Sequence, residues 1–377
     1  MKVVVNCKSL KPKRLDGIGV YTLELLRELV QKRKDWEFIF VYDKIPKNAY
    51  TFPSNVKQIS WLCPTYRPFI LKPYLAYLNW VCKREKADLL FCPDGWGPTR
   101  PHVPMLCTIH DLNFERNPEY LPKNWAEIYR NSYPKIAQNS DHIFTVSHFS
   151  KSEIIELYGI SADKISVSYN AVNKRYKPIE EHEKIIIRQK LGIDLPYFLY
   201  VGTLHARKNI KGMFKSYQLY RKAGGTWPLV IVGESLFGDE LSGYWADNYP
   251  YKSDVIFTGR LSDEELARHY AAAGALFFIP FYEGFGIPVL EAMASGIPIL
   301  TSSGSSLPEI VGSAALVAEP DDATYIAQML LELERNTYLR QELVRRGFAR
   351  VADFSWHKSM EIIEQKMALY DKSEALS

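Results

Sequence analysis

Short, continuous apolar runs alternate with helical stretches twice along this chain. Such runs mark strands buried on both faces, which is the signature of a parallel sheet covered by helices. In the first half, Val3–Asn6, Phe38–Tyr42, Leu89–Cys92, Met105–Ile109 and Ile143–Val146 read as strands. Val20–Val30 reads as a helix with Leu23, Leu26 and Val30 on one stripe, and Ser147 as the N-cap of a helix running to about Tyr158. The pattern restarts near Pro196, with strands at Phe198–Val201, Leu229–Val232, Val255–Phe257 and Leu276–Ile279 and helices from about Ile210, Asp263 and Pro288. A length of 377 residues suits two such domains. The charged segment Lys174–Gln189 reads as the linker, and Tyr50–Lys86, rich in Pro and aromatics, as irregular. The expected division is an N-terminal domain over 1–176, a second domain over 190–355, and an amphipathic C-terminal helix over 356–377.

Composition narrows the class. No apolar run approaches the ~20 residues that span a bilayer. The opening Met1–Asn6 reads as a first strand without the layout of a signal peptide. Five cysteines, Cys7, Cys63, Cys82, Cys92 and Cys107, form no Cys-x-x-Cys pair and read as reduced thiols of a cytoplasmic protein. Charge divides by halves. Residues 1–180 carry 27 Lys and Arg against 18 Asp and Glu, a balance of +9, while the remainder carries 20 against 25, a balance of −5. A basic first half suits an anionic partner, either a lipid-linked pyrophosphate or an anionic membrane face. Its basic residues are scattered and no nucleic-acid motif accompanies them, so nucleic acid is not the expected partner.

The stretch from Phe281 to Gly296 carries the most chemistry. Glu283 lies in a glycine-rich loop after a strand, Pro288 stands at a helix start, and Glu291 falls about one turn into that helix. Open α/β sheets bind ligands at that crevice. Backbone N–H groups of Gly284, Phe285, Gly286 and Ile287 suit a diphosphate, and the two carboxylates suit sugar hydroxyls.

This Glu-x7-Glu stretch resembles the signature of glycosyltransferase family 4, whose members have the GT-B fold. Three further segments fall in the family's order: Gly17-Ile18-Gly19, Thr108-Ile109-His110-Asp111-Leu112, and Val201-Gly202-Thr203 followed by Arg207-Lys208-Asn209. The resemblance covers nearly the whole chain. It implies two Rossmann-like domains facing a cleft, with the C-terminal helix crossing back onto the first. It also implies that His110 hydrogen-bonds the donor sugar, that Glu283 contacts sugar hydroxyls, and that Glu291 contacts the ribose. Gly17 and Gly19 would let backbone approach the donor closely. The sequence departs from the family at Thr203, where an Arg is frequent, and at Ala171, where relatives commonly have Gly.

No Asp-x-Asp pair is present to hold a divalent ion, so no metal and no cofactor is expected. The charge of a leaving diphosphate must then be met by Lys208, by Arg207 with its bidentate fork, and by helix N-termini. His110, Glu283 and Lys208 are the expected catalytic set. Asp94 and Trp96, after another strand, are candidates for the acceptor side. The resemblance implies retention of anomeric configuration by front-side displacement. The phrasing is most similar to bacterial mannosyltransferases that use GDP-mannose to extend a lipid-linked oligosaccharide, as in O-antigen synthesis. Two alternatives stand beside it: a transferase using UDP-glucose or another UDP-sugar, and a UDP-N-acetylglucosamine epimerase on the same fold. The expected location is the cytoplasm, or the inner face of its membrane as a peripheral protein.

Overall fold

The computed structural model describes residues 1–11, 15–43, 50–61, 68–234 and 249–371. Cys63 lies outside them. The chain divides into two compact units, Met1–Asn170 with Ser355–Ser377, and Ala171–Phe354.

The first unit is built on a parallel sheet of seven strands among the described residues. They are β1 (Lys2–Asn6), β2 (Glu37–Tyr42), β3 (Val56–Ser60), β4 (Leu89–Cys92), β5 (Met105–Thr108), β6 (His142–Thr145) and β7 (Ile165–Val167). Their order is β3-β2-β1-β4-β5-β6-β7. Val4 of β1 sits opposite Ile39 and Leu90, so the centre of the sheet is apolar across three strands. All these strands are parallel, and the order in which successive strands are added reverses between β1 and β4, which makes their C-terminal ends the switch point where such sheets bind ligands. The helix Gly17–Lys32 begins as Asp16 accepts a hydrogen bond from the Gly19 N–H at 2.9 Å. The helix His148–Tyr158 is capped by Ser147 and stopped by Gly159 in the left-handed region.

The C-terminal helix Trp356–Ala368 packs within this first unit, against Gly17–Lys32. Polar links fix it there. Arg33 Nη1 donates to Glu364 Oε1 at 2.7 Å, Trp36 Nε1 to Asp371 Oδ2 at 2.7 Å, and Ser359 Oγ to the Tyr169 carbonyl at 2.5 Å.

The second unit has a parallel sheet of β8 (Phe198–Val201), β9 (Leu229–Val232), β10 (Val255–Gly259), β11 (Ala275–Phe278), β12 (Ile299–Ser302) and β13 (Leu316–Ala318). The order β10-β9-β8-β11-β12-β13 places its switch point between β8 and β11. These two strands are buried at every residue.

Two expectations are corrected. The stretch Tyr50–Lys86 holds β3 and the long helix Pro68–Glu85. Pro73 lies inside that helix and deletes one hydrogen bond, but Leu71, Tyr74, Leu75, Leu78, Val81 and Cys82 line a buried face that outweighs the loss. The expected linker Lys174–Gln189 belongs to the second unit and contains most of the helix Glu181–Lys190, which opens with a capping box of Glu180 and Glu183. Ile187 is buried, and Arg188, its side chain 11% exposed, donates to the Ala272 carbonyl. Among the described residues no helix is long and apolar enough to cross a membrane.

Candidate active site

The loops that leave β8 and β11 are tied together at the switch point of the second sheet. After β8 the chain makes a single 3-10 turn, Ala206–Lys208, and then Asn209 adopts left-handed geometry with φ 56° to cap the helix Ile210–Lys222. The Asn209 side-chain amide donates to the carbonyls of Ile279 and Pro320, so this residue holds three segments at once. The Phe281 N–H donates to the Arg207 carbonyl at 2.9 Å, and Arg207 Nη1 returns a bond to the Tyr282 carbonyl at 2.8 Å.

These ties bring Lys208, Arg207 and Glu283 onto one another. Lys208 Nζ donates to Glu283 Oε1, which also lies 3.3 Å from Arg207 Nη1. Lys208 and Glu283 are each only 8% exposed, so this is a buried ion pair rather than a surface one. Burial opposes the charge on Glu283, but Lys208 and then Arg207 outweigh it and hold the carboxyl below its usual range. The Arg207 guanidinium is built into the loop junction, with its side chain 23% exposed. Thr203 supplies a backbone carbonyl to the Tyr200 hydroxyl at 2.9 Å, and no charge.

Glu283 is further fixed from β12. Its N–H donates to Ser305 Oγ at 2.9 Å, and Ser306 Oγ donates to the carbonyls of Glu283 and Phe285. The helix Ile287–Ser295 then begins at Gly286, whose φ of 101° favours glycine and where a Cβ would lie 2.5 Å from Leu307 Cδ2. Among the described residues no side chain caps this helix start, and its amides carry the partial positive charge that suits an anion. Phe285 is buried edge-on against Phe354.

Glu291 sits one turn on and half-buried. Its carboxyl faces the hydroxyls of Tyr270 and Tyr176, two rings that meet edge to face at 5.6 Å. Burial pushes Glu291 up to about 7, and the two hydroxyls partly offset that rise. Gly284 and Ile287 complete the loop and helix start of this half.

In the first unit, His110 follows β5 at the C-terminal edge of the sheet. Its Nε2 bonds the Pro93 carbonyl at 2.9 Å, and only a protonated nitrogen can do so; burial keeps the ring neutral, leaving Nδ1 as an acceptor. Tyr21 packs edge-on against it at 4.9 Å. Gly17 is exposed and Gly19 buried in the first turn of their helix. At Gly19 a Cβ would meet Leu15 and the Ser9 carbonyl, and its N–H is taken by Asp16, so packing against the preceding loop requires a glycine here. Trp96 turns inward. Its ring is 3% exposed and packs on Tyr129 and Tyr133, while its backbone N–H donates to Asp94. Asp94 is buried at the end of β4, beside the carbonyl that His110 bonds.

Ser305, Ser306, Tyr176 and Tyr270 escape sequence reasoning, and Asn209 is marked there only as part of the Arg207-Lys208-Asn209 segment. For Ser305 and Ser306 a signal existed, because the Ser302–Ser306 run of Ser and Gly follows a strand and marks a loop at the same sheet edge. The tyrosines carry no such signal. Ala171 keeps ordinary backbone geometry, with no positive φ.

The second unit matches the family model described as glycosyl transferases group 1 over residues 183–350, and the first matches glycosyltransferase family 4 over residues 15–176. The chain is 31% identical over 369 residues to the O-antigen chain mannosyltransferase B of Escherichia coli, spanning 94% of this chain and 96% of that one. It is 32% identical over 292 residues to the O-antigen chain mannosyltransferase RfbU of Salmonella typhimurium, spanning 74% and 75%. The fold superposes on sucrose-phosphate synthase from Thermosynechococcus elongatus with a TM-score of 0.78 at 19% identity, over the whole of both chains.

Proposed function

Because this chain belongs to glycosyltransferase family 4, we propose that it transfers mannose from GDP-mannose to a lipid-linked oligosaccharide or polysaccharide during O-antigen or related cell-surface glycan synthesis. The observation that carries this reading is the full-length similarity to an O-antigen chain mannosyltransferase, together with a built cluster of Lys208, Arg207 and Glu283 at a sheet switch point. The full-length match to transferases sets the epimerase reading aside.

In this reading the diphosphate docks at the start of the helix Ile287–Ser295, where backbone amides and Lys208 meet its charge. Lys208 exchanges part of its bond to Glu283 for a phosphate oxygen. Glu283 then receives a hydroxyl of the sugar, held by Ser305 and Ser306 in one position. Arg207 keeps the two loops in register and adds positive charge beside the leaving group. Glu291 accepts a ribose hydroxyl, and His110 offers Nδ1 to a hydroxyl of the transferred sugar. The anomeric carbon–oxygen bond to the diphosphate breaks as the acceptor oxygen bonds the same face, and the leaving phosphate takes the acceptor proton. Configuration is retained, and no metal is required because protein cations and helix dipole carry the stabilisation. The basic first half favours an anionic membrane surface near a pyrophosphate-linked acceptor.

A thermal-shift series with GDP, UDP, GDP-mannose and UDP-glucose tests the donor. GDP and GDP-mannose are expected to raise the melting temperature and the uridine compounds are not. A response confined to UDP and UDP-glucose would replace the donor with a UDP-sugar. NMR of the product's anomeric proton reports retention or inversion.

A further inference from the structure

The switch point of the first sheet holds a buried polar cluster that the donor machinery does not use. Asn6 ends β1, and its side-chain amide donates to Asp94 Oδ1 at 2.9 Å and to the Trp96 carbonyl at 2.7 Å. The Trp96 N–H adds a second bond to Asp94 Oδ1 at 3.1 Å. Asn6 Oδ1 in turn accepts from the Tyr74 hydroxyl at 2.6 Å and from the Lys8 N–H at 3.1 Å. One atom is left over. Asp94 Oδ2 is buried and receives no well-formed hydrogen bond; among the described residues its charged neighbour is Lys8 Nζ at 3.4 Å. Asp94 is 4% exposed, whereas the Lys8 side chain retains 19% and reaches the surface over the Trp96 ring. A buried carboxylate oxygen without its hydrogen bond is costly, and such an atom at a sheet switch point marks a place for a ligand's donor.

We propose that Lys8 and Asp94 form a hydroxyl-recognition subsite for a neutral acceptor sugar. The inference rests on the glycosyltransferase reading and narrows its acceptor to a pyranose presenting adjacent hydroxyls. Once the part-exposed Lys8 side chain shifts off it, Asp94 Oδ2 accepts one hydroxyl and completes its bonding. The neighbouring hydroxyl oxygen accepts from Lys8 Nζ, whose three hydrogens exceed what Asp94 uses. The pair is close to neutral, and Asp94 repels a phosphate, so the subsite selects a polyol over an anion. The Pro93 carbonyl bonds His110, which places the subsite one residue from the loop contact of the proposed donor-sugar residue. Lys8 is a recognition residue that the motifs do not mark, since it lies two positions beyond the end of β1 in Asn6-Cys7-Lys8-Ser9.

The test is binding of a panel of methyl glycosides (mannoside, galactoside, glucoside, rhamnoside and N-acetylglucosaminide) by saturation-transfer NMR, with inorganic phosphate as the anionic probe. The wild-type protein is expected to bind at least one glycoside and to ignore phosphate at the same concentration. Lys8→Met and Asp94→Asn should each weaken the glycoside by about tenfold or more, the loss of one charged hydrogen bond. Neither should alter the thermal shift given by GDP, which a general loss of fold would abolish. If Asp94→Asn does not fold, Lys8→Met decides. The subsite is overturned if the wild-type protein binds none of the glycosides, if binding survives in the folded variants, or if phosphate binds and tightens in Asp94→Asn. Failure of the donor reading looks different: the GDP response is then missing from the wild-type protein while glycoside binding still depends on Lys8.

Discussion

Lys208 Nζ and Glu283 Oε1 form a buried ion pair across the switch point of the second sheet, joining residues 75 positions apart. The pair gives Glu283 a charged carboxylate in a dry site and keeps Lys208 poised where a diphosphate would arrive. Breaking a buried pair outright costs about 3–5 kcal/mol, and removing Lys208 costs less than that because Arg207 still lies 3.3 Å from Glu283. Lys208→Met should therefore lower both the denaturation midpoint and nucleotide affinity.

Glu283→Gln should act mainly on turnover. A sugar contact tightens as positive charge develops at the anomeric carbon, so kcat should fall by about tenfold or more while GDP affinity changes little. Steady-state kinetics beside GDP titration would check this. A variant with normal kcat and lost GDP affinity would assign Glu283 to nucleotide binding instead.

Glu291 is held near 7 by burial, above its ordinary value of 4.5. The folded protein therefore binds a proton that the unfolded chain has released between about pH 4.5 and 7. Stability should fall as pH rises through that window and level off above it. Glu291→Gln should lack this component, and urea midpoints from pH 4.5 to 8 would show the difference. If Glu291 accepts a ribose hydroxyl, GDP should bind more tightly as pH passes 7 in the wild-type protein and not in the variant.

Activity should persist in excess EDTA. The proposed diphosphate site uses Lys208, Arg207 and backbone amides, and no Asp-x-Asp pair is present. Loss of turnover in chelator that magnesium or manganese restores would reject this.

Asp371 secures the end of the C-terminal segment to the first unit. It accepts from Trp36 Nε1 at 2.7 Å, pairs with Arg33 Nη2 at 3.3 Å and lies 3.8 Å from the Met1 amine, while 5% exposed. Asp371→Ala should destabilise by about 1–3 kcal/mol, read as a shift in denaturant midpoint, because the buried Trp36 Nε1 loses its acceptor while Arg33 keeps Glu364. Truncation at Phe354 should be worse, since it also removes Met360, Ile363 and Met367 from the core.

Sequence alone determined the central strands of both sheets, though not β3, β7, β12 and β13, and the neighbourhood of the donor residues. Phe198–Val201 and Leu229–Val232 are continuous apolar runs, and burial on both faces of a sheet is a local property that periodicity reports directly. Motif spacing likewise put Glu283 in a loop and Glu291 one helical turn later. Periodicity was silent on β3, a half-exposed polar edge strand, and misleading on Pro68–Glu85, where Pro73 argues locally against a helix that tertiary burial sustains. Only the tertiary structure decided the partners. That Glu283 meets Lys208 and Arg207, that Ser305 and Ser306 fix it, that burial raises Glu291 while Tyr176 and Tyr270 partly offset the rise, and that Trp96 turns inward while Asp94 keeps one oxygen for Lys8 all depend on the tertiary arrangement. A parallel sheet places the ends of sequence-distant strands side by side, so the electrostatics of its edge depend on which strands are neighbours, and no local pattern encodes that choice.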